Sequence, residues 1–478
     1  MKKKSNALVL HKDRFFDPSP AVRSIARTIY QSVKDLPIIS PHGHVDPRLF
    51  VDNKPFPNPA ELFIIPDHYI FRMLYSQGIS LDALGIPRKD GSRREQDPRK
   101  IWKLFADNYH LFRGTPSGVW LDHEFSVVFG IKDRLDGTTA LRVYDEIEKK
   151  LQSPAFLPRA LFDTFNIEVL ATTDMATDTL EYHDRIRKSN WKGRVIPSFR
   201  PDSVTNLRHP QWQANIKKLG GLAGKEITSF QQFVIALEDR RRFFKAMGAV
   251  ATDHGIFSPF THLLSAKDAD AIFQRALKNK LEKNDADLFT AHMLMEMARM
   301  SIDDGLVMQI HPGSDRDHNQ AVAELYGPDK GGDIPSSTEY THNLKELLNK
   351  HGNNPNFTVV VFTLDETTYS RELAPLAGLY PAMKLGPPWW FHDSIEGMRR
   401  YRSTVMETAG LYNTAGFNDD TRAFISIPAR HDLARRMDAE YLAGLVARHI
   451  VSKGDAFEMA YQLANGLVKK AYKLDKGD

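Results

Sequence analysis

A (β/α)8 TIM-like barrel, distorted by a helical insertion after its first strand, is the fold this sequence predicts. Three observations point to it. Eight short apolar runs, at 37–39, 167–171, 194–198, 249–252, 306–310, 357–362, 382–385 and 411–417, have the length of buried strands. Helical spacing separates most of them, which is the rhythm of βα units around a parallel sheet. Polar and charged residues crowd directly behind the runs, where barrel enzymes keep their chemistry.

Residues 20–35 have helical spacing and lead into the opening run, Pro37-Ile38-Ile39. Behind it stand His42 and His44, separated by Gly43. In extended chain, residues two apart point the same way, so both imidazoles can face one point beyond the strand end. That suits a borderline cation such as zinc. From 50 to 155 the pattern is helix and loop without a clear strand, far longer than an ordinary connection. The organisation expected is a helical lead-in (1–35), the first strand with its two histidines (36–49), the helical insertion (50–155), and the remaining barrel with closing helices (156–478). The helices expected at 439–451 and 456–474 would form a covering layer.

The residues behind each later run are Thr172-Thr173-Asp174, Phe199-Arg200-Pro201-Asp202, Asp253-His254-Gly255, His311 with Arg316, Thr363-Leu364-Asp365, Gly386-Pro387-Pro388-Trp389-Trp390 and Asn418-Asp419-Asp420-Thr421-Arg422. Singly, each has a plainer reading. Aspartates cap helices, a histidine before Pro-Gly serves a turn, and paired tryptophans fill cores. Gathered at one end of a barrel, they offer metal ligands, proton carriers and anion-binding arginines.

Composition narrows the classes. With 42% hydrophobic and 26% charged residues over 478 positions, the chain is an ordinary globular protein. Its net charge of +4 and the lack of any dense Lys/Arg block exclude a nucleic-acid footprint. There is no cysteine, so disulfides, thiolate nucleophiles and thiolate metal sites are excluded. The basic start, Met1-Lys2-Lys3-Lys4, is followed by only four apolar residues, too few for a signal core. No run reaches membrane-spanning length. A cytoplasmic enzyme is the expectation, without nucleic-acid or membrane partners, of a size that allows a homo-oligomer.

Taken together, Ser40-Pro41-His42-Gly43-His44, Asp67-His68-Tyr69, Thr172-Thr173-Asp174, Ser198-Phe199-Arg200-Pro201-Asp202, Asp253-His254-Gly255, Met308-Gln309-Ile310-His311 with Arg316, Trp389-Trp390-Phe391 and Asp420-Thr421-Arg422 resemble the uronate isomerase (glucuronate isomerase) family, a divergent branch of the amidohydrolase superfamily. The resemblance runs from about residue 36 to the closing helices. It implies interconversion of D-glucuronate with D-fructuronate and of D-galacturonate with D-tagaturonate. It implies one divalent metal, zinc being expected, on His42, His44 and Asp420, and no organic cofactor. Asp420, Tyr69, Arg422 and His311 would be catalytic. Arg200, Arg316, Asp253, His68 and Trp389 would bind the hexuronate. The stretches 311–315 and 386–388 depart from the family's usual pattern and bear on which uronate is preferred.

An aldose–ketose isomerase moves a proton between C2 and C1 through a cis-enediol, which needs a base and electrophiles on two oxygens. Asp420 is expected on the metal and in proton transfer, Arg422 on the enediolate, and Tyr69 at C1/O1. Asp420, Tyr69 and His311 all stay open as the carbon base. An arginine should grip the sugar carboxylate. The competing readings are a lactonase-like metal hydrolase, a uronate epimerase and a non-catalytic sugar-acid binder.

Overall fold

The computed structural model describes residues 7–475. The opening helix, Pro20–Val33, buries Ala26, Ile29, Tyr30 and Val33 at helical spacing and delivers the chain to strand β1, Ile38–Ser40. From there to β2, Ile167–Ala171, the described chain is helix, turn and loop apart from one isolated bridge at Asp133. One of these helices, His68–Tyr75, matters for the site. Asp67 starts it, its carboxylate accepting from the Tyr69 amide at 2.8 Å, a cap of the kind that contributes about 1 kcal/mol.

The strands that follow are β3 (Asp174–Met175), β4 (Val195–Ile196), β5 (Phe199–Arg200), β6 (Ala251–Ile256), β7 (Val307–Pro312), β8 (Ser314–Asp315), β9 (Ile334–Pro335), β10 (Val359–Val361) and β11 (Met383–Leu385). Two parallel sheets form, ordered β1-β2-β4 and β11-β10-β7-β6-β5-β3, while β8 and β9 make a small antiparallel pair. Breaks in the strands at 172–173 and 197–198 divide one wall into these two sheets. Hydrogen bonds across the breaks, from the Thr172 amide to the Ile196 carbonyl and from the Ser198 amide to the Thr172 carbonyl, both 2.9 Å, keep the wall continuous. Seven barrel positions are therefore filled by strand.

The eighth is not. The strand expected at 411–417 is instead a 3-10 turn, Leu411–Asn413, followed by a single parallel bridge from Thr414 to Leu385. Gly410 and Gly416 take φ of +66° and +79°, values outside the strand region, so the run cannot extend as a ladder. The gap toward β1 is spanned by one bond, from the His44 amide to the Thr421 carbonyl at 3.0 Å. This is the distortion of the barrel.

Burial alternates along the strands with period two. Ile39, Val169, Ala171, Ala251, Val307 and Val360 face the barrel interior, whereas Leu170, Met308, Ile310, Val359 and Val361 pack outward against other elements. The interior is completed by the end of the chain. After the helix Ile427–Ala447, the segments Lys453–Tyr461, Gln462–Gly466 and Leu467–Ala471 bring Val468, Ala471, Tyr472 and Leu474 into the same core. The closing helices thus plug the barrel as well as cover it. No helix among the described residues is long and apolar enough to cross a membrane.

Candidate active site

A cavity of about 280 Å³ opens where the strands end and the helix His68–Tyr75 leans over them. All eleven residues expected in the site line it: His42, His44, His68, Tyr69, Arg200, Asp253, His311, Arg316, Trp389, Asp420 and Arg422. Strands β6 and β7 run further than expected, so Asp253 and His311 lie within them. Their register pairs Asp253 with Gln309 and Gly255 with His311, placing these residues on the inward face.

At the floor, Asp420 Oδ1 lies 3.0 Å from His44 Nε2 and 3.4 Å from His42 Nε2. The His311 ring stacks on His42, centroids 4.6 Å apart. Ligand atoms of His42, His311 and Asp420 all fall within 4.8 Å of one another. His311 Nδ1 is bonded to Asp253 Oδ1 at 2.7 Å, and its Nε2 is buried with no hydrogen-bond partner. A carboxylate on one ring nitrogen and a bare second nitrogen is the arrangement that metal-binding histidines use. The donor set, imidazole nitrogens and one carboxylate, suits a borderline divalent cation. His311 thus stands with His42 and Asp420 in a group that could hold the ion, and His44 Nε2 lies 3.0 Å from Asp420 Oδ1.

Electrostatics separates the roles. Burial pushes His42 down, but the charges of Asp420 and Asp253 outweigh it and raise its pKa. Burial dominates at His311 and His44 and lowers both, so they are neutral at neutral pH. Burial also opposes ionisation of Asp420, yet His42 and His44 hold its carboxyl well below the usual range. Asp253 is likewise held low, against burial, by Arg200 and His311. Burial raises the Tyr69 phenol well above its ordinary value, so it stays protonated. His68 is forced down to about 3 by burial and by Arg422, and stays neutral.

Asp420 has φ +40°, a left-handed conformation that aspartate tolerates better than most residues. Its loop is fastened from beneath. Asp419 Oδ2 meets His431 Nε2 at 3.0 Å, and Arg430 donates to the Asp419 carbonyl at 3.3 Å. Arg430 also bonds Asp393 at 2.9 Å, and its guanidinium lies 3.7 Å from the centre of the Trp120 ring of the insertion.

The arginines differ in freedom. Arg200 is gripped by Asp202 at 2.7 Å and approaches Asp253 at 3.6 Å. A Cβ on Gly255 would stand 2.5 Å from its guanidinium, so the missing side chain there is what lets Arg200 lie flat against β6. Arg316 and Arg422 are about half exposed. Arg316 pairs with Asp333 at 3.0 Å and Arg422 with Asp329 at 3.0 Å.

Asp202, Asp329, Asp333 and Arg430 line the cavity but were not singled out by the sequence. Asp202 stood inside a quoted motif, two residues after Arg200. Asp329 and Asp333 sit in a glycine-rich loop with no distinctive spacing. Arg430 lies in a helix among other arginines, and only its tertiary partners mark it. Six aspartates and four arginines line the cavity, with no lysine or glutamate among the described lining residues. A divalent cation would offset the two-charge excess of carboxylate.

The family model described as glucuronate isomerase matches residues 18–468 of the chain. A uronate isomerase of Phenylobacterium zucineum is 56% identical over 469 residues, covering 98% of both chains. The crystal structure of glucuronate isomerase from Caulobacter crescentus superposes with a TM-score of 0.97 at 52% identity, over 99% of this chain and 98% of that one. The uronate isomerase structure from Thermotoga maritima does so at 0.91 with 27% identity, over 97% and 99%.

Proposed function

The chain belongs to the glucuronate isomerase family, and from that premise we propose how its cavity isomerises hexuronates between aldose and ketose forms. The observation that carries the reading is the buried cluster of His42, His311 and Asp420 at the floor of a cavity whose rim presents arginines.

His42, His311 and Asp420 would hold one divalent ion, with His44 beside Asp420. When bound, such an ion supplies a Lewis acid for the carbonyl and hydroxyl oxygens of the open-chain sugar. The chain's own groups do the rest. Arg316 and Arg200 receive the sugar carboxylate, the planar fork matching its two oxygens. Arg422 faces the charge that builds on the enediolate. The Tyr69 phenol, kept protonated by burial, donates to O1 as the carbonyl there is lost or regained. Asp420 carries the proton between C2 and C1. Its carboxylate is ionised and can accept that proton, whereas burial keeps the Tyr69 phenol protonated. Asp253 fixes the His311 ring through Nδ1. His68 and Trp389 border the sugar, His68 stacked on Tyr69 and Trp389 edge-on to His311.

The test is proton NMR of D-glucuronate and D-galacturonate in D2O with metal-loaded protein. The ketose acids should form, with deuterium entering at the transferred position. Formation of ketose with no deuterium would overturn an exchangeable carrier such as Asp420. Conversion of neither sugar would overturn the reaction.

A further inference from the structure

Arg430 sits where the helical insertion meets the floor of the site. It is buried, in the first turn of the helix Ile427–Ala447. From the barrel side its guanidinium is gripped by three acceptors. Nε donates to Ser426 Oγ at 3.1 Å, and Nη1 donates to Asp393 Oδ2 at 2.9 Å and to the Asp419 carbonyl at 3.3 Å. From the insertion side it meets two rings. Its central carbon lies 3.7 Å from the centre of the Trp120 ring and 5.5 Å from that of Tyr69, both within cation–π range. The two rings themselves meet edge to face, centroids 5.8 Å apart. Trp120 belongs to the helix Pro116–His123 and Tyr69 to His68–Tyr75. One side chain therefore joins two helices of the insertion to the loops that carry Asp393 and Asp420.

We infer that Arg430 is a positioning residue of the isomerisation: stacked on Trp120, it fixes the Tyr69 phenol in place against Asp420. The inference rests on the roles given above to Tyr69 and Asp420. That reaction needs a phenol from the insertion and a carboxylate from the barrel at neighbouring atoms of one sugar, and a misplacement of about 1 Å costs about 100-fold. Asp420 has a fastening of its own, because Asp419 also meets His431 at 3.0 Å. Tyr69 is set through its ring, by His68 stacked on it and by Trp120 and Arg430. A buried ion pair gains little stability over apolar packing. What the Arg430–Asp393 pair supplies is a planar guanidinium held in one orientation, against which the two rings rest.

The test is steady-state turnover of D-glucuronate by the zinc-loaded full-length protein, with Arg430→Lys made both in the parent and in Tyr69→Phe. Lysine keeps a positive charge for Asp393 but lacks the planar group that stacks on Trp120. In the parent, kcat should fall about 10- to 100-fold while KM changes less than about threefold, because Arg200 and Arg316 are untouched. In Tyr69→Phe, where no hydroxyl is left to place, the same substitution should cost less than about threefold. A merely structural role would cost the same factor in both backgrounds, and that result would overturn the inference while leaving the proposed reaction intact. So would a kcat for Arg430→Lys within about twofold of the parent. Zinc affinity, read by chelator competition, should stay within about threefold; a loss of about tenfold or more would route the effect through Asp420 and overturn the inference. Tyr69→Phe turning over at the parental rate would overturn the role of Tyr69 and the inference with it. If Arg430→Lys does not fold, Trp120→Phe decides by the same comparison of backgrounds. Trp120 Nε1 has no hydrogen-bond partner, so the smaller ring forfeits no bond.

Discussion

Replacing Asp253 by asparagine keeps the shape of the side chain and removes its charge. The carboxylate is 2% exposed, accepts from His311 Nδ1 at 2.7 Å and stands 3.6 Å from Arg200 Nε. Removing one partner of a buried ion pair costs about 3–5 kcal/mol. The asparagine retains hydrogen bonding, and Arg200 keeps Asp202 at 2.7 Å, so the lower end, about 3 kcal/mol, is expected. Unfolding entropy near 60 °C is about 2 cal/mol/K per residue, or about 1 kcal/mol/K for a 478-residue chain. The Tm should therefore fall by about 3 °C at neutral pH. Asp253 is held below its ordinary pKa. A carboxylate depressed in the folded state stabilises above its unfolded pKa and loses that contribution as pH falls through the folded value. The Tm gap between parent and variant should accordingly narrow in acid.

Function should suffer more than stability. Asparagine can present its NH2 to His311 Nδ1 and move the ring proton to Nε2, the atom that the cluster needs bare. Metal affinity should drop by about 10- to 100-fold, and turnover at limiting metal with it. The assay is calorimetric melting at several pH values alongside chelator competition. A variant that binds zinc within about threefold of the parent would refute the claim that Asp253 sets a ligating Nε2 on His311.

Asp420→Asn should reduce turnover by about 10²–10⁴-fold, the range for loss of a proton-transfer group, with the circular dichroism spectrum preserved; near-normal kcat would sink its assignment. Gly255→Ala should raise KM for uronate more than it lowers kcat, because the new methyl would meet Arg200 at 2.5 Å and displace it; steady-state kinetics on both sugars would read this. Zinc affinity should rise with pH up to the raised value of His42 and then level, one proton leaving per ion bound, since the pair with Asp420 holds that proton on the ring. Chelator competition across pH 5 to 9 measures the slope, and a flat profile would refute the assignment. Metal-free protein should hold uronate only weakly, because six aspartates face four arginines in the cavity; calorimetric titration with and without zinc would settle it, and equal affinity would refute that charge balance.

The fold was legible wherever apolar strands carried their own signal. The runs at 167–171, 306–310, 357–362 and 382–385 became β2, β7, β10 and β11, displaced by no more than two residues at either end, β7 running on through His311 and Pro312. That extension has a physical cause. A polar residue at the end of a buried strand looks like the start of a loop, yet His311 pairs with Gly255 of β6 because Asp253 supplies its ring with a partner inside the barrel. The opposite error arose at 411–417, where apolar residues imply a strand but Gly410 and Gly416 at positive φ forbid one.

The site divides in the same way. Residues directly behind the strand runs were found because barrel topology fixes where they point, and His42, Asp253, His311 and Asp420 converge although up to 378 positions separate them. Arg430, Asp329 and Gln309 could not be found so. Arg430 gains its place from Trp120 and Asp393, and Asp329 from Arg422, contacts between distant segments that leave no trace in local spacing. Gln309 stood inside the quoted motif Met308-Gln309-Ile310-His311 without a role of its own. Its side-chain oxygen accepts from Tyr472, a residue that period-3.6 reasoning assigns to an outer helix and that packing carries into the barrel interior. Sequence patterns thus locate the groups that line the cavity, because strand ends are few and directional. They do not locate the groups that hold those groups still, because any packed neighbour can serve.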